Sequence, residues 1–178
     1  TSSLQDDLLL KYEYDKKKRL IKKKVPGVAV EYLFYDKKGR LVLTQDGILR
    51  QADKWRFIKY NTQGQVVLTG IYFDDQHNEF AEMQSYIDGF VDNQNSFFYE
   101  YYTGIDQNNF HGYSNQSFPQ LDANDRILTI KYYSDYAFDV NSEYEFSDFA
   151  NDLHLWPFYR IDNKLTATKN KILDNTTD

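Results

Sequence analysis

One short pattern recurs three times near the start of the chain and limits what it can fold into. Tyr14-Asp15-Lys16-Lys17-Lys18-Arg19-Leu20-Ile21 is the first copy. Tyr35-Asp36-Lys37-Lys38-Gly39-Arg40-Leu41-Val42 is the second, and Tyr60-Asn61-Thr62-Gln63-Gly64-Gln65-Val66-Val67 the third. The Tyr positions lie 21 and then 25 residues apart. Residues before each Tyr alternate aromatic and polar, the period of a half-buried strand. The Asp or Asn after it can bond the backbone two residues on and start a turn. Gly39 and Gly64 supply a left-handed position near the turn exit. Each copy therefore predicts a β-hairpin. A lone hairpin cannot bury its aromatic face, so the copies must stack side by side into a larger sheet.

The shared form, Tyr-Asp/Asn, three residues, Arg/Gln and two apolar residues, resembles the YD repeats of the Rhs family. These are large tyrosine/aspartate-repeat proteins of bacterial surfaces and secretion systems. Lys11 to Tyr72 looks more specifically like the Rhs-type proteins of Bacteroidetes, in KKVPG, YDKKGRLVLTQD and KYNTQGQVVLTGIY. Weaker similarity continues through Ala81–Tyr86, Leu128–Tyr133 and Leu165–Lys169. Asn61 and Gln65 depart from the usual Asp and Arg. The resemblance implies a scaffold or shell of hairpins, no catalysis in the repeats, and an extracellular or cell-surface bacterial location. Where such proteins carry a toxin, it sits in a variable C-terminal domain, and nothing like that domain is visible here. The residues that carry the resemblance are Tyr14, Asp15, Arg19, Tyr35, Asp36, Gly39, Arg40, Tyr60, Asn61 and Gly64.

The chain begins at Thr1 and ends in KNKILDNTTD. We expect an excised piece of a longer protein, whose partners are the neighbouring repeats of the parent chain. Exposed sheet edges in such a piece favour edge-to-edge dimers.

The remainder is read from periodicity. Phe80, Met83, Ile87 and Phe90 fall at helical spacing, predicting a helix over 79–91. Ser96–Thr103 predicts a strand, 105–126 a loop with a short strand near Tyr113, and Arg126–Tyr133 another strand. Residues 134–163 are aromatic without a period, with short helical turns expected around Glu145–Ala150. The expected fold is mainly β: an antiparallel sheet of stacked hairpins with one or two short helices. Residues 1–78 form the hairpins and 79–178 a β-rich continuation, in one continuous unit.

Composition then limits chemistry. Of 178 residues, 16 are Tyr, 13 Phe and 2 Trp, and there is no Cys. That excludes disulfides, thiolate metal sites and Cys nucleophiles. No apolar run reaches the roughly 18–20 residues of a membrane-spanning helix. Residues 1–60 hold 15 Lys and Arg against 8 Asp and Glu, while 61–178 hold 6 against 19. The basic excess centres on Lys16–Lys24. It fits a nucleic-acid or anionic-glycan patch, or a turn and a strand edge guarded by Lys. We expect the second, and no nucleic-acid partner.

His77, His111 and His154 share no metal-ligand spacing, and no metal or cofactor is expected. Asp74–Glu79 and Asp122–Asp125 offer oxygens without the calcium-loop frame and read as turn and cap chemistry. No nucleophile elbow or phosphate loop occurs, and we expect no enzyme. The alternative function is a carbohydrate-binding or cell-surface-binding module using exposed aromatics, for which Trp55, Trp156, Phe158 and Tyr159 are the candidates. Aromatic faces suit sugar rings, but equally suit a core.

Overall fold

A computed structural model describes residues 8–92, 97–105, 109–133 and 163–171. The protein is mainly β. Eight strands form one antiparallel sheet in chain order: β1 Lys11–Tyr14, β2 Leu20–Lys24, β3 Glu31–Tyr35, β4 Leu41–Gln45, β5 Lys54–Tyr60, β6 Val66–Phe73, β7 Arg126–Tyr133 and β8 Leu165–Asn170. Among the described residues two helices accompany them, α1 Gly47–Gln51 and α2 Phe80–Asp92. The sheet runs straight through the division at residue 78, since β6 pairs with β7.

The three repeated patterns are the turns β1–β2, β3–β4 and β5–β6. In each, the Tyr pairs with the apolar residue that opens the next strand: Tyr14 with Leu20, Tyr35 with Leu41, Tyr60 with Val66. Each pairing lies at a register shift. Bulges of this kind add local twist and fix the register.

Alternation along β5 places Trp55, Phe57 and Lys59 on the covered face, all essentially without exposure. Phe34, Leu43, Leu68 and Tyr132 join them from neighbouring strands. Helix α2 supplies fully buried Met83 and Ile87, at helical spacing as expected. At its start Phe80 stacks on Phe34, with ring centroids 4.7 Å apart. Phe118 packs edge-on against Tyr72, Tyr86 and Phe90. Burying each such ring is worth about 1.5–3 kcal/mol, so aromatics supply much of the core. Gly70 of β6 permits a close approach. A Cβ there would strike the Arg126 carbonyl and the Phe57 ring.

Two expectations require correction, and one helix answers to no expectation. The strand expected over Ser96–Thr103 is not a strand; the described part, 97–103, holds only isolated bridges, Phe97 with Ser117 and Tyr102 with Tyr113. Its alternation is inverted: Glu100 points inward, while Phe97 and Tyr101 are exposed. The same Tyr102–Tyr113 bridge stands where a short strand near Tyr113 is expected. Finally, α1 lies within a segment with no helical period. It forms because Asp46 caps it, accepting from the Ile48 and Leu49 amides at 3.0 and 2.9 Å. Arg50 in its last turn donates to the Val30 carbonyl and covers the Tyr32 ring. The helical turns expected at 145–150 lie outside the described residues. Among those residues no helix is long and apolar enough to cross a membrane.

Candidate functional site: the ladder between hairpins

Within each turn the same bonds recur. The Asp15 amide donates to the Arg19 carbonyl and the Lys18 amide to the Asp15 carbonyl, each at 2.9 Å. Asp36 with Arg40 and Gly39 repeats this, as does Asn61 with Gln65 and Gly64. The side chain completes the turn. Asp15 Oδ1 accepts from the amides of Lys17 and Arg19. Asn61 Oδ1 accepts equally from those of Gln63 and Gln65.

The pair that follows holds in both chemistries. Arg19 and Arg40 each place a guanidinium on the preceding carboxylate, with Nη2 to Oδ2 at 2.6 and 2.7 Å. In the third unit Asn61 Nδ2 donates to Gln65 Oε1 at 2.7 Å. Asn–Gln is thus a neutral copy of Asp–Arg with the direction of donation reversed. The Arg19 amide and side chain hold the Asp15 carboxyl below its usual range, against a smaller opposing effect of burial.

The turns are joined to one another. Tyr35 Oη donates to the Leu20 carbonyl at 2.9 Å, and Tyr60 Oη to the Leu41 carbonyl at 2.8 Å. Each Tyr therefore reaches back one hairpin, to the residue paired with the preceding Tyr. In return each Arg reaches forward: Arg19 lies 4.5 Å from the Tyr35 ring centroid and Arg40 4.8 Å from that of Tyr60. Arg40 is also capped by the Tyr99 ring at 4.6 Å and donates to the Phe98 carbonyl. Burial raises the pKa of both Tyr hydroxyls, with the facing guanidinium opposing, so they remain protonated donors.

A fourth member closes the series. Tyr133 Oη donates to the Val66 carbonyl at 3.1 Å. Tyr133 pairs with Leu165 at a register shift like those of the other units. Asn163, two residues before Leu165, has φ 61, matching Lys18 (φ 62), Gly39 (φ 83) and Gly64 (φ 78). Gln65 Nε2 donates forward to the Asn163 carbonyl at 2.7 Å. The ladder Tyr14, Tyr35, Tyr60, Tyr133 therefore spans the whole sheet.

No family model, curated protein or solved structure matches this chain. The ladder must accordingly be read from its own geometry.

Every repeat-motif residue expected from the sequence stands in a turn or in the ladder. Of the aromatic platform only Trp55 lies among the described residues. Trp55 has no exposed surface, and its Nε1 faces the Asp74 carbonyl at 3.4 Å, so it cannot stack on a sugar. Trp156, Phe158 and Tyr159 lie outside the described residues. Lys16–Lys18 occupy the first turn, while Lys22 pairs with Glu13 at 3.1 Å and Lys23 with Glu31 at 4.0 Å across strands. The basic run is thus divided between a turn and a strand.

Asp74 accepts from the amides of Gln76 and His77. Asp122 and Asp125 close a turn on each other, and Asp125 also accepts from the Phe73 amide. These are turn roles. No group of three or more His, Asp or Glu converges for a metal among the described residues.

Sequence reasoning missed Tyr133 and Asn163, because a long insertion separates the Tyr from its Leu. A local signal exists: Asn163-Lys164-Leu165 repeats the form of Gly39-Arg40-Leu41. It also missed the cluster of Lys59, Glu100 and Asn115, which no spacing marks.

Proposed function

We propose that this chain is a non-catalytic stretch of hairpin scaffold belonging to a large, surface-displayed or secreted bacterial protein of Rhs type. The observation that carries this reading is the ladder. Each rung uses one hydroxyl and one carbonyl, and each is built the same way, so the series extends without any new device. At one edge Tyr14 is 60% exposed, and β1 is exposed throughout. At the other edge the Leu165 carbonyl holds the place that Leu20, Leu41 and Val66 fill within the sheet. Neighbouring repeats of the parent chain would dock there by strand addition, with backbone bonds giving affinity and the Tyr and Arg pairing giving register.

The test is amide hydrogen exchange on this chain alone and on the longer protein that carries it. Added repeats must slow exchange in β1 or β8. Identical exchange in both settings argues that the edges stay open and that the sheet ends here.

A further inference from the structure

Lys59 is a cation turned by strand alternation into an aromatic core. Its side chain and that of Glu100 are both fully buried. The Lys59 Nζ stands 2.8 Å from Glu100 Oε1, 2.9 Å from Asn115 Oδ1 and 3.1 Å from the Ser117 carbonyl. Glu100 is itself fixed, accepting from the Ser117 amide and hydroxyl at 3.0 and 2.6 Å and from the Ser114 hydroxyl at 2.7 Å. The Asn115 carboxamide is gripped at both ends. Its oxygen also accepts from the Leu121 amide at 2.9 Å, and its nitrogen donates to the Leu121 carbonyl at 2.8 Å. Asn115 holds a left-handed backbone, φ 55, to present that group.

An amine, a carboxamide and a carboxyl thus meet at one site, the amine and the carboxyl fully buried and the carboxamide half-buried. We propose that Lys59 and Asn115 join there in an intramolecular isopeptide bond, with Glu100 carrying the proton. Glu100 takes a proton from the Lys59 ammonium, and the freed lone pair attacks Asn115 Cγ. The charge that develops on Oδ1 is received by the Leu121 N–H, a fixed donor at a developing oxyanion. Glu100 then returns that proton to the Asn115 nitrogen, the C–N bond breaks and ammonia departs. Glu100 takes the second proton from the former Lys59 nitrogen and passes it to the ammonia, which leaves as ammonium. Lysine ammonium plus asparagine amide becomes the new amide plus ammonium. Hydrogens and charge balance, and no oxidant or co-reactant enters.

Three conditions favour the step. Positioning in a packed site replaces a bimolecular encounter. Burial weakens the hold of the Lys59 amine on its proton, with Glu100 opposing. The product removes a buried ammonium, a costly group in a core. The bond would staple β5 to the irregular segment that covers it, in addition to the contacts that hold the two together.

Intact-mass spectrometry of the purified folded chain tests this. The expected mass is about 17 Da, one ammonia, below that of the sequence. Proteolysis must then yield one branched fragment containing both Lys59 and Asn115. Lys59→Arg must restore the sequence mass, and so must Glu100→Gln. A wild-type chain at its sequence mass overturns the proposal without reference to any variant. So does an ammonia loss without the branched fragment, which would mark a succinimide. A branched fragment that persists in Glu100→Gln overturns the proton-carrying role of Glu100.

Discussion

The hydroxyl of Tyr60 donates to the backbone carbonyl of Leu41 at 2.8 Å, across one whole hairpin. Leu41 is the residue that pairs with Tyr35, the equivalent Tyr of the preceding unit. One contact therefore couples the turn of one hairpin to the exit of another. Repeated at Tyr35 and Tyr133, it converts separate hairpins into a sheet of fixed register. Nearest-neighbour coupling of this kind is what lets repeat architectures propagate.

The return contact makes a separate prediction. Arg19 lies over the Tyr35 ring, and a part-exposed cation–π pair contributes about 0.5–1 kcal/mol. A double-mutant cycle of Arg19→Gln with Tyr35→Leu removes the side effects of each change. Urea unfolding should give a coupling of about that size. Strictly additive changes would reduce the stacking to mere adjacency.

Lys18 stands where the second and third units carry Gly39 and Gly64, and all three have positive φ. A side chain in the left-handed region costs about 1 kcal/mol relative to glycine. Lys18→Gly should raise stability by about 0.5–1 kcal/mol, and Gly39→Ala should lower it by a similar amount. A new Cβ at Gly39 meets only the Arg19 guanidinium, at an ordinary 3.6 Å, so the effect reports the backbone and not a clash. Thermal melts of the two variants moving in the same direction would contradict this.

Acid should act on the first turn and spare the third. The folded state holds the Asp15 carboxyl below 3.8, its ordinary value. A depressed pKa gives stability that is present above the unfolded value and is lost as pH falls through the folded one. The Lys17 and Arg19 amides, which donate to Asp15, should shift in an NMR titration with a midpoint below 3.8, the ordinary value. The Gln63 and Gln65 amides donate to the Asn61 carboxamide oxygen, which has no proton to gain in this range, and should show no such transition. Asp15→Asn should abolish the first response. A midpoint at or above 3.8 would contradict the turn geometry.

How much of this was legible in the sequence depends on where the information is local. The turns β1–β2, β3–β4 and β5–β6 follow from Tyr-Asp/Asn spacing, because the bonds that make them span only a few residues. Helix α2 follows from its period and strand β7 from its β-branched and aromatic residues. The fourth rung did not show, since Tyr133 and Leu165 are adjacent in space and distant in sequence. The Ser96–Thr103 reading failed for a related reason. Its β-prone composition is real, but Glu100 finds Lys59 in the core and turns the segment over, a long-range bond overriding local preference. Trp55 shows the same limit, because an aromatic suited to a sugar face and one suited to a core are identical in sequence.

The ladder is tested most directly by removing its hydroxyls and keeping its rings. Tyr35→Phe, Tyr60→Phe and Tyr133→Phe each leave a part-buried carbonyl without its donor. Each should lower unfolding free energy by about 0.5–1.5 kcal/mol in urea titration. Tyr14→Phe, at the exposed edge, should change nothing measurable. If all four variants unfold at the wild-type midpoint, the hydroxyls do not join the hairpins and the account of the sheet is wrong.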